Sequence, residues 1–280
     1  MGGVRIVTDS AADLPGEIAA AHRIEIVPLS VRFGSESYLS GVELGSDEFW
    51  NKLRASQEAP STAAPSAGDF QNAYQKLASD GATGIVSLHL SSKLSATYQS
   101  ADVASKEIGN IPVEVVDTLA VSAGTGLMAV HAAERAESGA DAVAIATELT
   151  ELRSRVHLYG VIDTLEYLRR GGRIGGAAAL LGTMLKVKPV IGLENGVVEP
   201  LDRVRTRIKG LEHLVGLVRQ DANRIERFVV VSGEAPDTEQ FVSMLDGIVS
   251  VTPKDVWPFG PIVGAHAGPG VIGVCYITSS

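Results

Sequence analysis

The sequence predicts an α/β protein in two domains, an N-terminal βαβ domain on a mostly parallel sheet and a C-terminal α/β domain on a mixed or antiparallel one. The first half alternates short β-branched runs with longer amphipathic ones, the grammar of strands crossed over by helices. Near residue 155 that alternation gives way to hairpin signals, so the domains are placed at 1–155 and 156–280. Polar residues collect where apolar runs hand over to helix-like ones, which is where α/β sheets bind their ligands.

In order, VRIVTDS reads as a strand, LPGEIAAAH as a helix, IEIVPLSVRF as a strand, and DEFWNKLRAS and FQNAYQKLAS as helices. GIVSLHL is a strand, TYQSADVASKEI a helix, VEVVD a strand and TGLMAVHAAERAES a helix. Helix starts are marked by Ser46 before Asp47 and Glu48, by Ser66 at capping-box spacing from Asp69, and by Asp13 two residues before Pro15. DAVAIATELTELRSRV is a long helical run leading into LYGVIDTLEYLRRGGRIGG. Asn195-Gly196 then separates two apolar runs, which is a type I′ hairpin signal. The helix IKGLEHLVGLVRQDA, the strand RFVVVSG, a helix in DTEQFVSMLDGIV and the strand GVIGVCYI complete the chain.

The 280 residues are 45% hydrophobic and 20% charged, enough to bury a core and too apolar for disorder. A formal charge of −9 argues against general affinity for nucleic acid or anionic membranes. The single cysteine, Cys275, lies in an apolar strand-like run, and no Cys/His spacing of the zinc type occurs, so no metal or cofactor is expected. No secretory signal is apparent and no apolar run approaches the roughly 20 residues of a membrane span, which points to the cytoplasm.

The densest chemistry lies in SSKLSATYQSA, where Ser91, Ser92, Ser95 and Thr97 follow a strand directly. A helix beginning near Ser92 or Ser95 would offer unpaired N–H groups beside those hydroxyls, a fit for a carboxylate or phosphate. One cap needs one hydroxyl, so Ser92 alone reads as an N-cap and the surplus reads as a site. Thr62 stands in a Pro-bounded loop four residues before the capping Ser66, its hydroxyl free for ligand or solvent. His266 sits among Gly264, Gly268 and Gly270, where the backbone can approach a ligand closely. Arginines gather at Arg169, Arg170 and Arg173 and again at Arg203, Arg205 and Arg207, either as solvated helix ends or as local anion attractors.

Five stretches in order, VTDSAADLP, PSTAAPS, SSKLSATYQSA, LEYLRRGGRI and VGAHAGPG, resemble the DegV family of bacterial fatty-acid-binding proteins nearly end to end. The resemblance implies two α/β domains with a long-chain fatty acid between them, its carboxylate held by Thr62 and Ser95, with Ser92, Ala96 and His266 lining the ligand. It also implies a partner, a fatty acid kinase that phosphorylates the bound acid to an acyl phosphate, with Arg173 and Arg205 at the phosphoryl end or the partner surface. The chain itself would then be a binding subunit with no catalytic residue and no cofactor besides the bound acid. Ala63 and Ala64 replace the family's usual Ser-Gln, and Ala96 stands where glycine is frequent. Two other readings stay open: an acyl hydrolase using Ser95 and His266, although AVSAG lacks the first glycine of a nucleophile elbow, and a phosphate or nucleotide binder using GGRIGG or GPGVIG.

Overall fold

The structure, a computed structural model, describes residues 3–181, 187–250 and 255–280. The first half contains β1 (Val4–Asp9), α1 (Gly16–Ala21), β2 (Glu25–Val27), β3 (Ser30–Phe33), β4 (Glu36–Leu39), α2 (Ser46–Ala55) and β5 (Ser61–Ala63). It continues through α3 (Ala67–Ser79), β6 (Gly84–His89), α4 (Thr97–Ser105), β7 (Val113–Asp117), α5 (Ala123–Glu137) and α6 (Ala142–Leu152). Four of its strands form a wholly parallel sheet in the order β2-β1-β6-β7. Every residue of β6 is buried, which explains its continuous apolar run.

The stretch IEIVPLSVRF is two strands in two sheets where the sequence suggested one. Pro28, with no N–H to donate, ends the ladder after β2, and the chain re-enters as β3 of a separate antiparallel sheet, β4-β3-β5. Thr62 consequently lies in strand β5, opposite Val31, and not in the expected loop. Ser66 closes the capping box with Asp69 that its spacing predicts. Two other expected caps differ: Ser46 begins α2 but donates its hydroxyl to Phe259 O at 2.8 Å, and Asp13, buried with φ 47°, ends the short 3-10 turn Ser10–Ala12 and does not cap α1, whose N-cap is Pro15.

The second half contains β8 (Val156–Val161), α7 (Glu166–Arg170), β9 (Lys188–Glu194), β10 (Val197–Val204) and α8 (Arg207–Asp221). After these come β11 (Ile225–Ser232), α9 (Thr238–Met244), β12 (Val256–Pro258), α10 (Pro261–Ala267) and β13 (Ile272–Thr278). Its six-stranded sheet runs β10-β9-β8-β13-β11-β12 and is antiparallel except between β11 and β12. Asn195 (φ 48°) and Gly196 (φ 81°) are both left-handed, as the type I′ turn between β9 and β10 demands. Cys275 is a buried, unpaired residue of β13, and burial pushes its thiol well above the usual range.

The largest apolar cluster lies between the two main sheets. It draws Ile6, Val86 and Val116 from the parallel sheet and Val229, Val231 and Cys275 from the other. A second cluster covers the outer face of the six-stranded sheet beneath α8 and α9. Helix α10 reaches back from the second half to pack on α2: a methyl group at Gly264 would come within 2.6 Å of Phe49 Cε1. Among the described residues no helix is long and apolar enough to cross a membrane.

Candidate functional site

Strands β1, β6 and β7 point their carboxyl ends at the six-stranded sheet, and the loops that follow them are held by carboxylates. Asp9 accepts hydrogen bonds from Ala11 N (2.9 Å) and Leu90 N (3.1 Å), and its Oδ2 is 3.0 Å from His89 Nδ1. The chain of bonds continues from His89 Nε2 to Ser87 Oγ (2.7 Å) and from there to Tyr74 OH (2.8 Å), all four side chains buried. Asp117 Oδ1 accepts from Ser92 N and Leu119 N, each at 3.1 Å. These buried bonds fix the loops that carry Leu90, Leu94, Ser95, Val121 and Ser122.

Those five residues form one wall of a cavity, and Leu158, Gly160, Ile162, Ile191 and Leu193 of β8 and β9 with their flanks form the facing wall. The space between the walls amounts to about 880 Å³, part of it open solvent. Its lining is apolar except at Thr62, Ser95, Ser122, Arg173, His266 and the phenol-bearing Tyr159.

At one end Thr62 Oγ1 and His266 Nε2 are 2.9 Å apart. His266 belongs to the last turn of α10, where the sequence suggested a loop; the glycines beside it admit close packing. Gly171, from the RRGGR segment, lies against the imidazole, and a methyl group there would overlap Nδ1. Nδ1 has no hydrogen-bond partner. A buried orphan N–H costs more than a buried lone pair, so the proton belongs on Nε2, donated to Thr62. Burial, and then the positive charge of Arg173, hold His266 down at about 4, so the ring is neutral at physiological pH.

Ser95 shows the same arrangement from the other side. Helix α4 starts at Thr97 with Ala96 as its N-cap, later than the sequence suggested, because Ser91 to Ser95 first make turns closed by Leu94 N and Ser95 N on Ser91 O. Ser95 Oγ accepts from Thr97 N at 3.3 Å and lies 2.9 Å from the buried Thr97 Oγ1. With the Thr97 hydroxyl donating to Ser95, the Ser95 proton is directed to the cavity. Thr62 and Ser95 are thus two donors, each backed by a donor of its own.

The other candidates fall as follows. Arg173 lines the cavity and donates from Nε to Leu94 O (2.9 Å) and from Nη1 to Gly171 O (2.6 Å). Ser92 and Ala96 flank Ser95 but do not line the cavity, and the Ser92 hydroxyl is not a helix cap. Arg205 is exposed, just before α8, and is not a lining residue. Members of both basic clusters are engaged within the protein: Arg169 and Arg170 pair with Glu166, and Arg207 grips Asp237 with two bonds of 2.6 and 2.9 Å, while Arg203 and Arg205 are exposed.

Ser122, one of the polar residues at the end of the strand-like run VVDTLAVS, also lines the cavity, beyond the residues the resemblance implies. Its backbone is left-handed (φ 54°, ψ −142°), and its hydroxyl donates to Asp13 Oδ2 at 2.5 Å. Burial pushes the Asp13 carboxyl up to about 7, against the opposing effect of bonds from Ser122 and from Gly260 N.

The pairing a hydrolase would need is not made: His266 bonds Thr62, and Ser95 bonds Thr97. The glycines of GGRIGG and GPGVIG admit protein neighbours instead of phosphate. Side chains at Gly175 and Gly176 would strike β10, and one at Gly268 would strike the Tyr167 ring.

Fold and site together define a class: two-sheet α/β proteins that enclose an apolar cavity ending in backed hydroxyls. The sequence model described as "Uncharacterised protein, DegV family" matches residues 3–279, and the chain belongs to that family. Among curated relatives, a DegV domain-containing protein of Streptomyces coelicolor is 38% identical over 274 residues, 97% of each chain. Protein DegV of Bacillus subtilis is 32% identical over 277 residues, 98% of each chain. Among solved structures, a DegV family protein of Thermus thermophilus, described for its fatty acid binding, superposes with a TM-score of 0.91 at 34% identity, covering 99% of this chain and 100% of its own. DegV of Bacillus subtilis, described as a fatty acid binding protein, superposes with a TM-score of 0.88 at 31% identity over the whole of both chains.

Proposed function

We propose that this protein binds a long-chain fatty acid, with the carboxylate between Thr62 and Ser95 and the tail along the apolar cavity, and presents the head group to a separate kinase for conversion to an acyl phosphate. The observation that carries the reading is the pair of backed hydroxyls at the end of an otherwise greasy cavity. The fatty acid binding described for the solved relatives supports the same ligand class.

The energetics are consistent. A sixteen-carbon acid has about fourteen methylenes, and burying them is worth on the order of 11 kcal/mol before association costs. The tail therefore supplies the affinity, while the head group must be kept from lying desolvated and unpaired. Two neutral hydroxyls do this without a buried counter-charge. Both can release the carboxylate oxygens toward an incoming phosphoryl group more easily than a bidentate arginine clamp would. Arg173, beside His266, is placed to offset the negative charge that gathers as the phosphoryl group arrives, and the exposed Arg205 is assigned to the partner surface.

The test is extraction of purified protein with organic solvent followed by mass spectrometry, together with binding of added fatty acid. A co-purified acid is expected; lipid-free protein that also ignores added acid refutes the reading. Thr62→Ala and Ser95→Ala should each weaken binding by about 1 to 3 kcal/mol, the cost of leaving a buried polar group unsatisfied. Unchanged affinity in both would move the carboxylate elsewhere. Addition of a fatty acid kinase and ATP to the loaded protein should yield acyl phosphate.

A further inference from the structure

The sheet that forms one wall of the cavity is split. Strands β8 and β9 pair only at Tyr159–Gly192, Gly160–Ile191 and Val161–Val190. Beyond Tyr159 the two part company: Leu158 continues against Cys275 of β13, while Leu193 continues against Val198 of β10. A seam therefore opens between Leu158 and Leu193.

The seam is displaced along β8 from the end that lies beside the start of β13. Strand β13 begins a few residues after His266, and its register sets Ile272 beside Val161 and Cys275 beside Leu158. Three residues of strand, about 10 Å at roughly 3.3 Å each, lead from the His266 end of β8 to the seam. The main cavity and a second one, also lined by Leu119, Ala120, Thr150 and Arg153 of the first half, share four lining residues, Leu158, Tyr159, Gly192 and Leu193. Those four residues form the lips of the seam.

The second cavity is shaped to match. The register of β10 jumps between Pro200 and Asp202, leaving Leu201 as the extra residue of a bulge, a device that re-aims a side chain. Leu201 is turned over Gly192, where an added methyl group would meet both its Cδ1 and the Tyr159 ring at 3.1 Å. It is 41% exposed, a large aliphatic side chain kept at the surface. The rim carries Glu194 and Glu199, together with His157 and with Arg153, whose guanidinium is engaged by the Thr150 and Asp117 carbonyls. Two carboxylates there disfavour a head group and leave an uncharged methyl end as the fitting occupant.

We infer that the β8–β9 seam is a port through the sheet for the methyl end of an acyl chain, so that acids longer than the enclosed cavity thread between Leu158 and Leu193 and emerge under Leu201. This rests on the fatty-acid reading above and adds a determinant of chain length to it. The port sets no sharp upper limit on length. It replaces a closed floor with a seam that tolerates additional methylenes.

The test is a binding series of saturated acids from lauric to arachidic, on wild type and Leu201→Asp. In wild type each methylene inside the cavity should gain about fourfold in affinity, the equivalent of roughly 0.8 kcal/mol, with smaller gains continuing for the longest acids. In Leu201→Asp the short acids should bind as in wild type while the longest lose tenfold or more. Equal effects at every length, or none at any length, would overturn the port. Wild type that binds no acid would overturn the parent reading instead. An acid carrying a photoreactive diazirine at its methyl end supplies an arm that needs no variant. Crosslinks at Leu201 or Glu199, which line only the second cavity, support the port, and crosslinks confined to residues of the main cavity exclude it.

Discussion

Burial displaces His266 and Asp13 from their ordinary chemistry in opposite senses. Burial and Arg173 depress the imidazole from 6.5 to about 4, so the fold favours its neutral form. The unfolded chain then binds the extra proton first, and stability from this group is lost as pH falls from 6.5 towards about 4. Arg173→Ala removes the second cause and leaves burial, so NMR titration of the His266 ring should give a value above wild type and still below 6.5; no change would mean that the guanidinium does not act on the ring. Asp13 is raised from 3.8 to about 7, so the folded state holds the proton more tightly. The penalty for its ionisation is absent below 3.8 and complete above about 7. Asp13→Asn should therefore gain stability over wild type progressively across that window in denaturant titrations; a difference that ignores pH would refute the buried charge. Neither residue could be read for this role in sequence. Asp13 looked like a helix start because Pro15 follows it, and only the long-range contact to Ser122 and Gly260 reveals its environment.

Among the elements, the helices and strands with strong local signals were legible. Ser66 with Asp69, the apolar run of β6 and the Asn195-Gly196 turn announced themselves through nearest-neighbour chemistry. The short antiparallel sheet was not, because β5 has three residues and its partner β3 lies far upstream, so no local periodicity betrays it. That omission is why Thr62 seemed to be in a loop, although its importance was still visible through the family resemblance. The hairpin turn also supports the site: Ser91 Oγ donates to Gly196 O at 2.8 Å and Lys93 Nζ to Asn195 O at 2.7 Å. A methyl group at Gly196 would strike the Ser91 side chain, and the backbone there is left-handed. Gly196→Ala should cost about 1 to 3 kcal/mol in unfolding free energy and weaken acid binding through the displaced SSKLS loop. Full stability and affinity would show that the turn and the loop are uncoupled.

Taken whole, the molecule is organised around the apolar cluster between its sheets. Residues 1–155 and 156–280 are proposed as two domains by composition and pattern, yet each contributes one face of that cluster and one wall of the cavity. An acid lodged there contacts both, so binding should stabilise them together. At a hundredfold excess over Kd the gain is about 2.7 kcal/mol. Differential scanning calorimetry should show a single transition moving upward with added acid; two transitions, of which one alone moves, would mean that the halves melt independently. The parallel and mixed sheets were legible from the order of the elements, whereas the seam in the second sheet depends on strand register, which the sequence does not display.

Thr62 and His266 stand 204 residues apart along the chain. A polypeptide still emerging from the ribosome lacks the imidazole that backs the threonine until almost all of it has been made. Incomplete or clipped copies that end before α10 have no means of orienting that hydroxyl toward an acid. On the fatty-acid reading, an acid would therefore be held by finished molecules alone.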